Sequence, residues 1–282
     1  MDILLEEEIE NQKDLKTQNL TQTLLLNLKD DYADFLVLIL KPVVKTDYSK
    51  LNMFGIKGID YIKNAVLDYE IKEVNYNLED DIIKVIKNNL NNKKYVLVLF
   101  SDTPLIQKQT IKNIIDYFLI KKLCALQFNR GYAFECEYLK NVDKIYNPQL
   151  QSFNEEDFIK VTDSSSFSRA LEILKGRIIS YHQQNDVIFE DVNSVYIDAK
   201  ANIEKNVIIK NNVNIVGKSL IKENSTLFNC NLNKVIIEEG CLIETSIVEN
   251  SVIEKNCVIK DYSIIKNSTI KEKSVLENYK LI

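Results

Sequence analysis

The stretch VYIDAKANIEKNVIIKNNVNIVGKSLI, from Val195 to Ile221, places an apolar residue at every sixth position, beginning with Ile197. A helix would require apolar residues spaced by about 3.6, and a stack of flat hairpins would require frequent Gly or Asn-Gly turns. Neither matches a period of six. The period is typical of a hexapeptide parallel β-helix, in which each short strand contributes one apolar residue to the interior.

The repeat continues in steps of five or six residues as far as Leu276, which gives fifteen units. Two places before each apolar residue comes a small or β-branched residue, such as Val207, Ser225 or Cys241, which we expect at a corner of the interior. Three units complete one triangular coil, so the repeat predicts about five coils. At a strand spacing of roughly 4.8 Å, the prism would be on the order of 20–25 Å tall. The apolar residues are Ile197, Ile203, Ile209, Ile215, Ile221, Leu227, Leu232, Ile237, Ile243, Val248, Ile253, Ile259, Ile265, Ile270 and Leu276.

The residues before the repeat alternate between strand and helix patterns. Phe35–Leu40 and Tyr95–Phe100 are unbroken apolar runs, typical of strands buried on both faces, and Leu123–Phe128 is predicted as a third strand. Strands that alternate with helices predict a mostly parallel sheet. Apolar residues have helical spacing in four segments, Leu20 to Leu28, Ile59 to Tyr69, Ile82 to Leu90 and Ile111 to Leu119. A last helix is expected from about Ser164 to Tyr181, with Asp163 or Ser164 as its N-cap.

The charge pattern and the N-terminus narrow the class of protein. The formal net charge is -5 and both signs are interleaved along the chain, which argues against nucleic acid as a partner. The N-terminus, MDILLEEEIENQ, is acidic where a signal peptide would be basic, and no apolar run is long enough to span a bilayer. We therefore expect a cytoplasmic protein without a membrane segment.

Cysteine, histidine and glycine usage excludes several kinds of site. No CxxC pair occurs, so neither a zinc site nor a disulfide framework is predicted. His182 is the only histidine, which excludes a Ser-His-Asp triad and a histidine pair. Neither GxGxxG nor GxxxxGK[ST] is present, so no standard glycine-rich phosphate loop is predicted. The five cysteines, interpreted as small apolar residues in a reducing compartment, are Cys124, Cys136, Cys230, Cys241 and Cys257.

A second informative stretch is VLVLFSDTPLI, Val96 to Ile106, in which Asp102 follows a buried strand and Pro104 prevents the strand from continuing. In an open α/β sheet, ligands bind just beyond the carboxyl ends of the strands. A carboxylate there could hold Mg²⁺ against a phosphate. The alternative is that Asp102 caps the turn into the next helix. This stretch alone supports both interpretations equally.

The order of these parts resembles a known family. An α/β sheet, a connecting helix and a β-helix resemble the bacterial bifunctional N-acetylglucosamine-1-phosphate uridyltransferases / glucosamine-1-phosphate N-acetyltransferases. The resemblance is strongest from Val161 to about Ile259, where DVIFEDVNSVYI is similar to the family's entry into its first coil. Earlier in the chain, VLVLFSDTPLI is similar to the family's "V-L-x-G-D-x-P-L-L" strand end. It implies a Rossmann-like nucleotidyltransferase-type α/β domain followed by a left-handed parallel β-helix.

The resemblance also implies site residues and segments. It transfers to Asp102 the role of a Mg²⁺ ligand, to Lys50 that of a phosphate-binding lysine in "P-K-x-L", and to Asn129 and Gly131, in NRGYAF, that of sugar-site residues; no catalytic residue is assigned. The implied segments are an N-terminal helical extension (1–34), a degenerate nucleotidyltransferase-like α/β domain (35–163), a linker helix (164–190) and the left-handed β-helix (191–282).

This sequence departs from the family at several motifs. The strand that should end in "L-A-A-G-x-G-T-R-M" reads LVLILKPVVKTDYSKLN, without glycine or arginine, and nothing matches the uracil-reading segment. Phe167 stands where the family has an Asn metal ligand. The family's acetyl-CoA site and catalytic histidine lie in later coils, so we do not expect acetyltransferase activity.

Two hypotheses follow from the resemblance. The first is a shortened, Mg²⁺-dependent enzyme that makes UDP-N-acetylglucosamine from UTP and N-acetylglucosamine-1-phosphate. The second, which the residues favour because several phosphate and metal motifs are lost together, is a catalytically degenerate binding or scaffold protein of the same amino-sugar and cell-wall lineage. The resemblance implies a homotrimer assembled through the β-helix, and a nucleotide sugar or sugar phosphate as a ligand.

Overall fold

The computed structural model describes residues 31–277 and 279–282, which fall into two compact units. The first unit contains the described residues up to Ser49 together with Ile59–Lys160, and the second contains Lys50–Gly58 together with Val161–Ile282. The helix predicted from Leu20 to Leu28 lies outside the described residues. The short segment Lys50–Gly58 is therefore built into the second unit, although it interrupts the sequence of the first.

A six-stranded mixed sheet, in the order β4-β1-β5-β7-β6-β8, forms the centre of the first unit. β1 pairs in parallel with β4 and β5, whereas β7 is antiparallel to both β5 and β6. β6 and β8 also pair in parallel, so three of the five pairings agree with the predicted mostly parallel sheet. The two antiparallel pairings arise because the chain turns back directly after β6 in a tight hairpin. The first eight strands of the chain are β1 (Phe35–Pro42), β2 (Asn52–Met53), β3 (Ile56–Lys57), β4 (Glu70–Tyr76), β5 (Tyr95–Phe100), β6 (Ala125–Phe128), β7 (Gly131–Glu135) and β8 (Gln149–Gln151).

Helices cover both faces of this sheet. Alternate residues of β1 face opposite sides, so that Phe35, Val37 and Ile39 belong to one apolar cluster while Leu36 and Leu38 belong to another. The first cluster includes residues of α1 and α3, and the second includes residues of α2 and α4. Burial on both faces explains the continuous apolar runs of β1 and β5. The helices are α1 (Gly58–Ala65), α2 (Ile82–Lys87), α3 (Lys108–Ile120), α4 (Cys136–Asn141) and α5 (Ser164–Gln184).

The second unit contains the repeat, and all fifteen predicted apolar positions lie in its short strands. The strands stack into three parallel sheets, one for each side of the coil. The predicted fold class, a Rossmann-like α/β domain followed by a left-handed parallel β-helix, is confirmed. The strands are β9 (Ile188–Phe189), β10 (Tyr196–Ile197), β11 (Asn202–Ile203), β12 (Ile208–Ile209), β13 (Asn214–Val216), β14 (Leu220–Ile221), β15 (Thr226–Phe228), β16 (Asn231–Asn233), β17 (Ile236–Ile237), β18 (Leu242–Glu244), β19 (Ile247–Glu249), β20 (Val252–Ile253), β21 (Val258–Ile259), β22 (Ile264–Lys266), β23 (Thr269–Ile270) and β24 (Val275–Leu276).

The predicted small residues line the interior, and their polar groups are satisfied. Cys230, Cys241 and Cys257 are buried among the apolar core residues. The buried hydroxyls bond to the backbone: Ser225 Oγ donates to the carbonyl of Glu238 at 3.1 Å, and the Cys241 N–H donates to Ser225 Oγ at 3.2 Å. Burying a serine therefore costs little folding free energy here, because its hydroxyl both donates to and accepts from the backbone.

Asparagine closes many of the corners between these strands. Corner residues adopt the left-handed backbone region, with φ values such as 58° at Asn206 and 61° at Asn224. Among residues other than glycine, asparagine enters this region most readily. The chain has only six glycines, and its frequent asparagines between strands replace them at these turns.

The segment Lys50–Gly58 forms a small antiparallel hairpin of β2 and β3 that packs on the first coil. The rings of Phe54 and Tyr196 stack with centroids 5.0 Å apart, and the carbonyl of Phe54 accepts from the Ala199 N–H at 2.9 Å. The buried Asp198 carboxylate accepts from the Tyr196 hydroxyl at 2.8 Å and from the Gly217 N–H at 2.6 Å. A Cβ at Gly55, whose φ is 77°, would approach that carboxylate to 2.7 Å, so only glycine fits the hairpin there.

Helix α5 leads into the β-helix and contains the only histidine. Its N-cap is Asp163, one of the two residues predicted for that position, and Asp163 forms a capping box with Ser166. Near its C-terminal end His182 is buried, and its Nδ1 has no hydrogen-bond partner in the described part of the chain. No helix among the described residues is long and apolar enough to cross a membrane.

The burial of His182 predicts a pH dependence of stability. Burial lowers the pKa of its imidazole, so the unfolded chain takes up a proton below about pH 6.5 while the folded chain does not. The free energy of unfolding should therefore decrease as the pH falls below 6.5, by at most about 1.4 kcal/mol per pH unit from this residue. Urea titrations between pH 5 and 7 would measure this slope.

His182→Phe is the matched control, since phenylalanine keeps a ring in the pocket and cannot be protonated. The difference in slope between the two proteins belongs to His182, because no other histidine titrates in that range. Equal slopes for both proteins would contradict the prediction.

Candidate functional site

Asp102 lies just beyond the carboxyl end of β5, the position that the sequence predicted. β5 pairs with β1 on one side and β7 on the other, so the residue stands near the centre of the sheet. Only 6% of Asp102 is exposed. The alternative prediction was a cap on the next helix, but that helix, α3, has Gln107 as its N-cap residue.

Both carboxylate oxygens of Asp102 accept hydrogen bonds from Arg130. Oδ1 accepts from Nε at 2.8 Å and Oδ2 accepts from Nη2 at 2.7 Å, which is the parallel two-bond geometry of a strong carboxylate–guanidinium pair. The guanidinium also lies over the Phe100 ring, 4.3 Å from its centroid. Tyr76, from the edge strand β4, contacts the same ring edge to face at 6.2 Å. The pair is thus enclosed by aromatic side chains from two strands.

Electrostatics within this cluster favour the ion pair. Burial alone would lower the pKa of Arg130, but its hydrogen bond and attraction to Asp102 outweigh burial and raise that pKa above its usual value. Burial raises the pKa of the Tyr76 hydroxyl, and the Asp102 charge adds to this effect while Arg130 opposes it. Both shifts keep the Arg130 guanidinium charged and the Tyr76 phenol neutral at neutral pH.

This arrangement does not fit a magnesium ligand. A metal at Asp102 would have to displace the guanidinium from at least one carboxylate oxygen, and its positive charge would be repelled by Arg130. Within the described ranges, no group of three or more His, Cys, Asp or Glu side chains is placed to hold a metal ion. The assignment of Mg²⁺ to Asp102 therefore stays a prediction that would require Arg130 to move away.

Asn129 and Gly131, the predicted sugar-site residues, belong to the hairpin between β6 and β7. The Asn129 side chain accepts from the Phe153 N–H at 2.7 Å and donates to the Phe153 carbonyl at 3.3 Å, which anchors the loop after β8. A Cβ at Gly131 would meet the Phe128 ring at 2.4 Å and the Val98 carbonyl at 2.5 Å. Both residues have structural reasons for their identity, and their role in sugar binding stays a prediction.

Lys50, the predicted phosphate ligand, is exposed and belongs to the second unit, whereas Asp102, Asn129 and Gly131 belong to the first. The structure therefore brings Asp102 and the hairpin together through Arg130 and assigns Lys50 to another unit. Sequence reasoning did not identify Arg130 as a partner of Asp102. Its signal is the pair Asn129-Arg130 between two apolar runs, which is a hairpin turn and returns the arginine to the end of β5.

Comparison with known proteins gives distant relatives. No protein-family model matches the chain. The bifunctional protein GlmU of Clostridium novyi is 22% identical over 276 residues, which cover 72% of this chain and 60% of that protein. GlmU of Campylobacter fetus is 25% identical over 254 residues, which cover 66% of this chain and 55% of that protein. The chain thus spans less than two thirds of the length of these relatives, and the matches support a distant relationship to GlmU proteins.

A solved structure of 4-diphosphocytidyl-2C-methyl-D-erythritol synthase from Anaerococcus prevotii matches half of the chain. It shares 11% identity with a TM-score of 0.37, and the match covers 50% of this chain and 99% of that one. A likeness at this score is too weak to support a function.

The Asp102–Arg130 pair should contribute to folding stability as a unit. Removing one partner leaves a largely buried charge unpaired, so Asp102→Asn and Arg130→Met should each lower the free energy of unfolding by about 2–3 kcal/mol. A fully buried pair would lose about 3–5 kcal/mol. The expected loss is smaller here because the Arg130 side chain is 27% exposed. The double variant should lose less than the sum of the two. Urea denaturation of the four proteins would measure the coupling.

The exposed pair Lys108–Asp68 serves as the control, since its partners are mostly in water and should couple by less than about 1 kcal/mol. Additive losses for Asp102 and Arg130 would show that the ion pair has no stabilising role.

Proposed function

We propose that this protein is a catalytically degenerate relative of the sugar-1-phosphate uridyltransferases that acts as a binding or scaffold protein. The distant similarity to bifunctional GlmU proteins supports the lineage. The observation that carries the loss of catalysis is the Asp102–Arg130 ion pair, in which an arginine occupies both carboxylate oxygens of the residue predicted as a metal ligand.

Phosphoryl transfer explains why this matters. The protein in such a reaction mainly aligns the reactants and neutralises developing charge on phosphate, and a metal ion with a backbone amide cradle does most of this. The end of β1 and the residues after it read KPVVKTDYSK, without glycine, so they cannot form the usual amide cradle. Losing both contributions should lower the rate by several orders of magnitude.

The proposed assembly is a homotrimer formed through the β-helix. One outward column of the sheet formed by β9, β12, β15, β18, β21 and β24 carries aligned and mainly apolar side chains. Each residue of the column pairs in the parallel register with the column residue of the neighbouring strand. The residues at the two ends of the column, Ile188 and Val275, are 52% and 60% exposed. A second copy would bury this column. Its members are Ile188, Ile208, Thr226, Leu242, Val258 and Val275.

The first test is pyrophosphate release from UTP and N-acetylglucosamine-1-phosphate in the presence of Mg²⁺. The proposal expects no turnover above background from the full chain or from Asp102→Asn. Turnover in the full chain that disappears in Asp102→Asn would overturn the proposal and support a working Mg²⁺-dependent transferase, in which Arg130 must leave the carboxylate.

A thermal shift measurement accompanies that assay, because a protein that binds a ligand only when folded gains stability with ligand concentration. An upward shift with UDP-N-acetylglucosamine but no turnover would support a nucleotide-sugar-binding protein. No shift and no turnover would support a scaffold without that ligand.

The second test concerns assembly and uses Leu242→Glu, which places a charge in the middle of the apolar column. Sedimentation of the full chain should give a trimer, and the variant should give a monomer with an unchanged circular dichroism spectrum, since a buried unpaired charge is costly at an interface. Lys210→Glu is the control, because Lys210 directly follows β12 and its side chain pairs with Glu190, outside the apolar column. A monomeric full chain would exclude the proposed assembly.

A further inference from the structure

Four successive coils bring Asn229, Thr245, Tyr262 and Tyr279 to one corner of the β-helix. Each coil is joined to its neighbour there by backbone hydrogen bonds, from the Thr245 N–H to the Phe228 carbonyl at 3.0 Å and from the Tyr262 N–H to the Thr245 carbonyl at 2.8 Å. All four residues have a left-handed backbone, with φ between 46° and 60°. A bulky residue is rarely found in this region, and most other left-handed positions of the same β-helix are asparagine or glycine, with Lys234, Asp261 and Lys273 as the exceptions. Local turn chemistry therefore does not explain the two tyrosines.

The tyrosine rings form an exposed stack. Their centroids are 5.4 Å apart with an interplanar angle of 13°, and Tyr262 and Tyr279 are 60% and 74% exposed. Tyr279 covers one face of the Tyr262 ring from the following coil. The preceding coil carries the short side chain of Thr245, so the other face of Tyr262 is available to a ligand.

A cavity of about 280 Å³ lies on that side of the Tyr262 ring. Its polar lining includes the amides of Asn229 and Asn231 and the Thr245 hydroxyl, and its apolar lining includes Ile247 and Ile264. None of its lining residues is charged, although 27% of the residues in the chain are. A site without charge is poorly suited to phosphate or carboxylate, which proteins usually hold with arginine or lysine.

The amides are placed to bond a ligand. The Asn231 Oδ1 already accepts from Asn214 Nδ2 at 2.6 Å, which orients the Asn231 amide nitrogen as a donor. The Asn229 amide nitrogen makes only a long contact of 3.5 Å to Thr245 Oγ1, so a ligand hydroxyl could replace it at little cost. An aromatic face beside neutral donors and acceptors matches a sugar ring, whose C–H face is apolar and whose edge carries hydroxyls.

We propose that this corner binds a neutral saccharide, with one pyranose ring stacked on the free face of Tyr262 and its hydroxyls bonded to Asn229, Asn231 and Thr245. Small-ligand pockets typically have volumes of about 300–1,000 Å³. The cavity is slightly smaller than this range, and a volume of this size suits one or two sugar rings. The site lies on the β-helix, and its existence does not depend on nucleotide binding by the α/β domain.

Saturation-transfer NMR on the full chain tests the proposal, with glucose, N-acetylglucosamine, cellobiose and chitobiose as neutral probes and uridine and glucose-6-phosphate as competitors of other chemistry. We expect transfer to the ring C–H protons of at least one neutral probe at millimolar concentration. Tyr262→Asn should lower that affinity at least about tenfold, as loss of a stacked ring does elsewhere.

Tyr262→Asn also separates binding from folding. Asparagine is the common left-handed residue of this β-helix, so the variant should keep or raise the melting temperature while losing the ligand. Tyr279→Asn makes the same change at a ring that does not line the cavity and should lose much less affinity. Asn229→Gly keeps the left-handed turn, removes one amide and should weaken binding. No transfer to any neutral probe, transfer only to uridine or glucose-6-phosphate, or unchanged binding by Tyr262→Asn would overturn the proposal.

Discussion

The in-register hydrogen bonding of each coil to the next is the constraint on which the β-helix depends. Because Ile197 lies directly opposite Ile215, and Ile215 opposite Leu232, any feature that recurs with the sequence period becomes a column of side chains along the axis. Inward columns must be apolar or small. Outward columns are unconstrained by the interior, so an apolar column or a stack of rings on the outside needs another explanation.

The β-helix could be predicted almost completely from the sequence, whereas the α/β unit could be predicted only in part. The interior of a coil admits few residue types, so a period of five or six survives in every coil. β1, β5 and the four described helices with strong periodicity are near their predicted positions. β4 (EIKEVNY) was not predicted, because it lies at an edge of the sheet where charged residues are tolerated. β7 was not predicted either, because NRGYAF was interpreted as part of a ligand site.

The candidate site could also be predicted from the sequence only in part. The position of Asp102 could be inferred, because an apolar run followed by Ser-Asp-Thr-Pro marks the carboxyl end of a buried strand. Its partner could not, because Arg130 is separated from it by 28 residues and reaches it only through the antiparallel return of β7. Local sequence identifies a carboxylate at the carboxyl end of a buried strand, while the chemistry of that carboxylate depends on which strand becomes its neighbour.

The hairpin Lys50–Gly58 affects the order in which the chain can fold during synthesis. Its residues precede most of the first unit in sequence but pack on Tyr196 and Asp198, which are synthesised more than a hundred residues later. The six-stranded sheet contains neither β2 nor β3, so during translation its strands can pair before the hairpin packs. The hairpin itself must wait for the first coil to emerge, so the two units cannot be completed one after the other. A fragment beginning at the linker helix would lack the aromatic partner of Tyr196, and the shortest independently folding version of the β-helix should be one that supplies residues 50–58 from elsewhere.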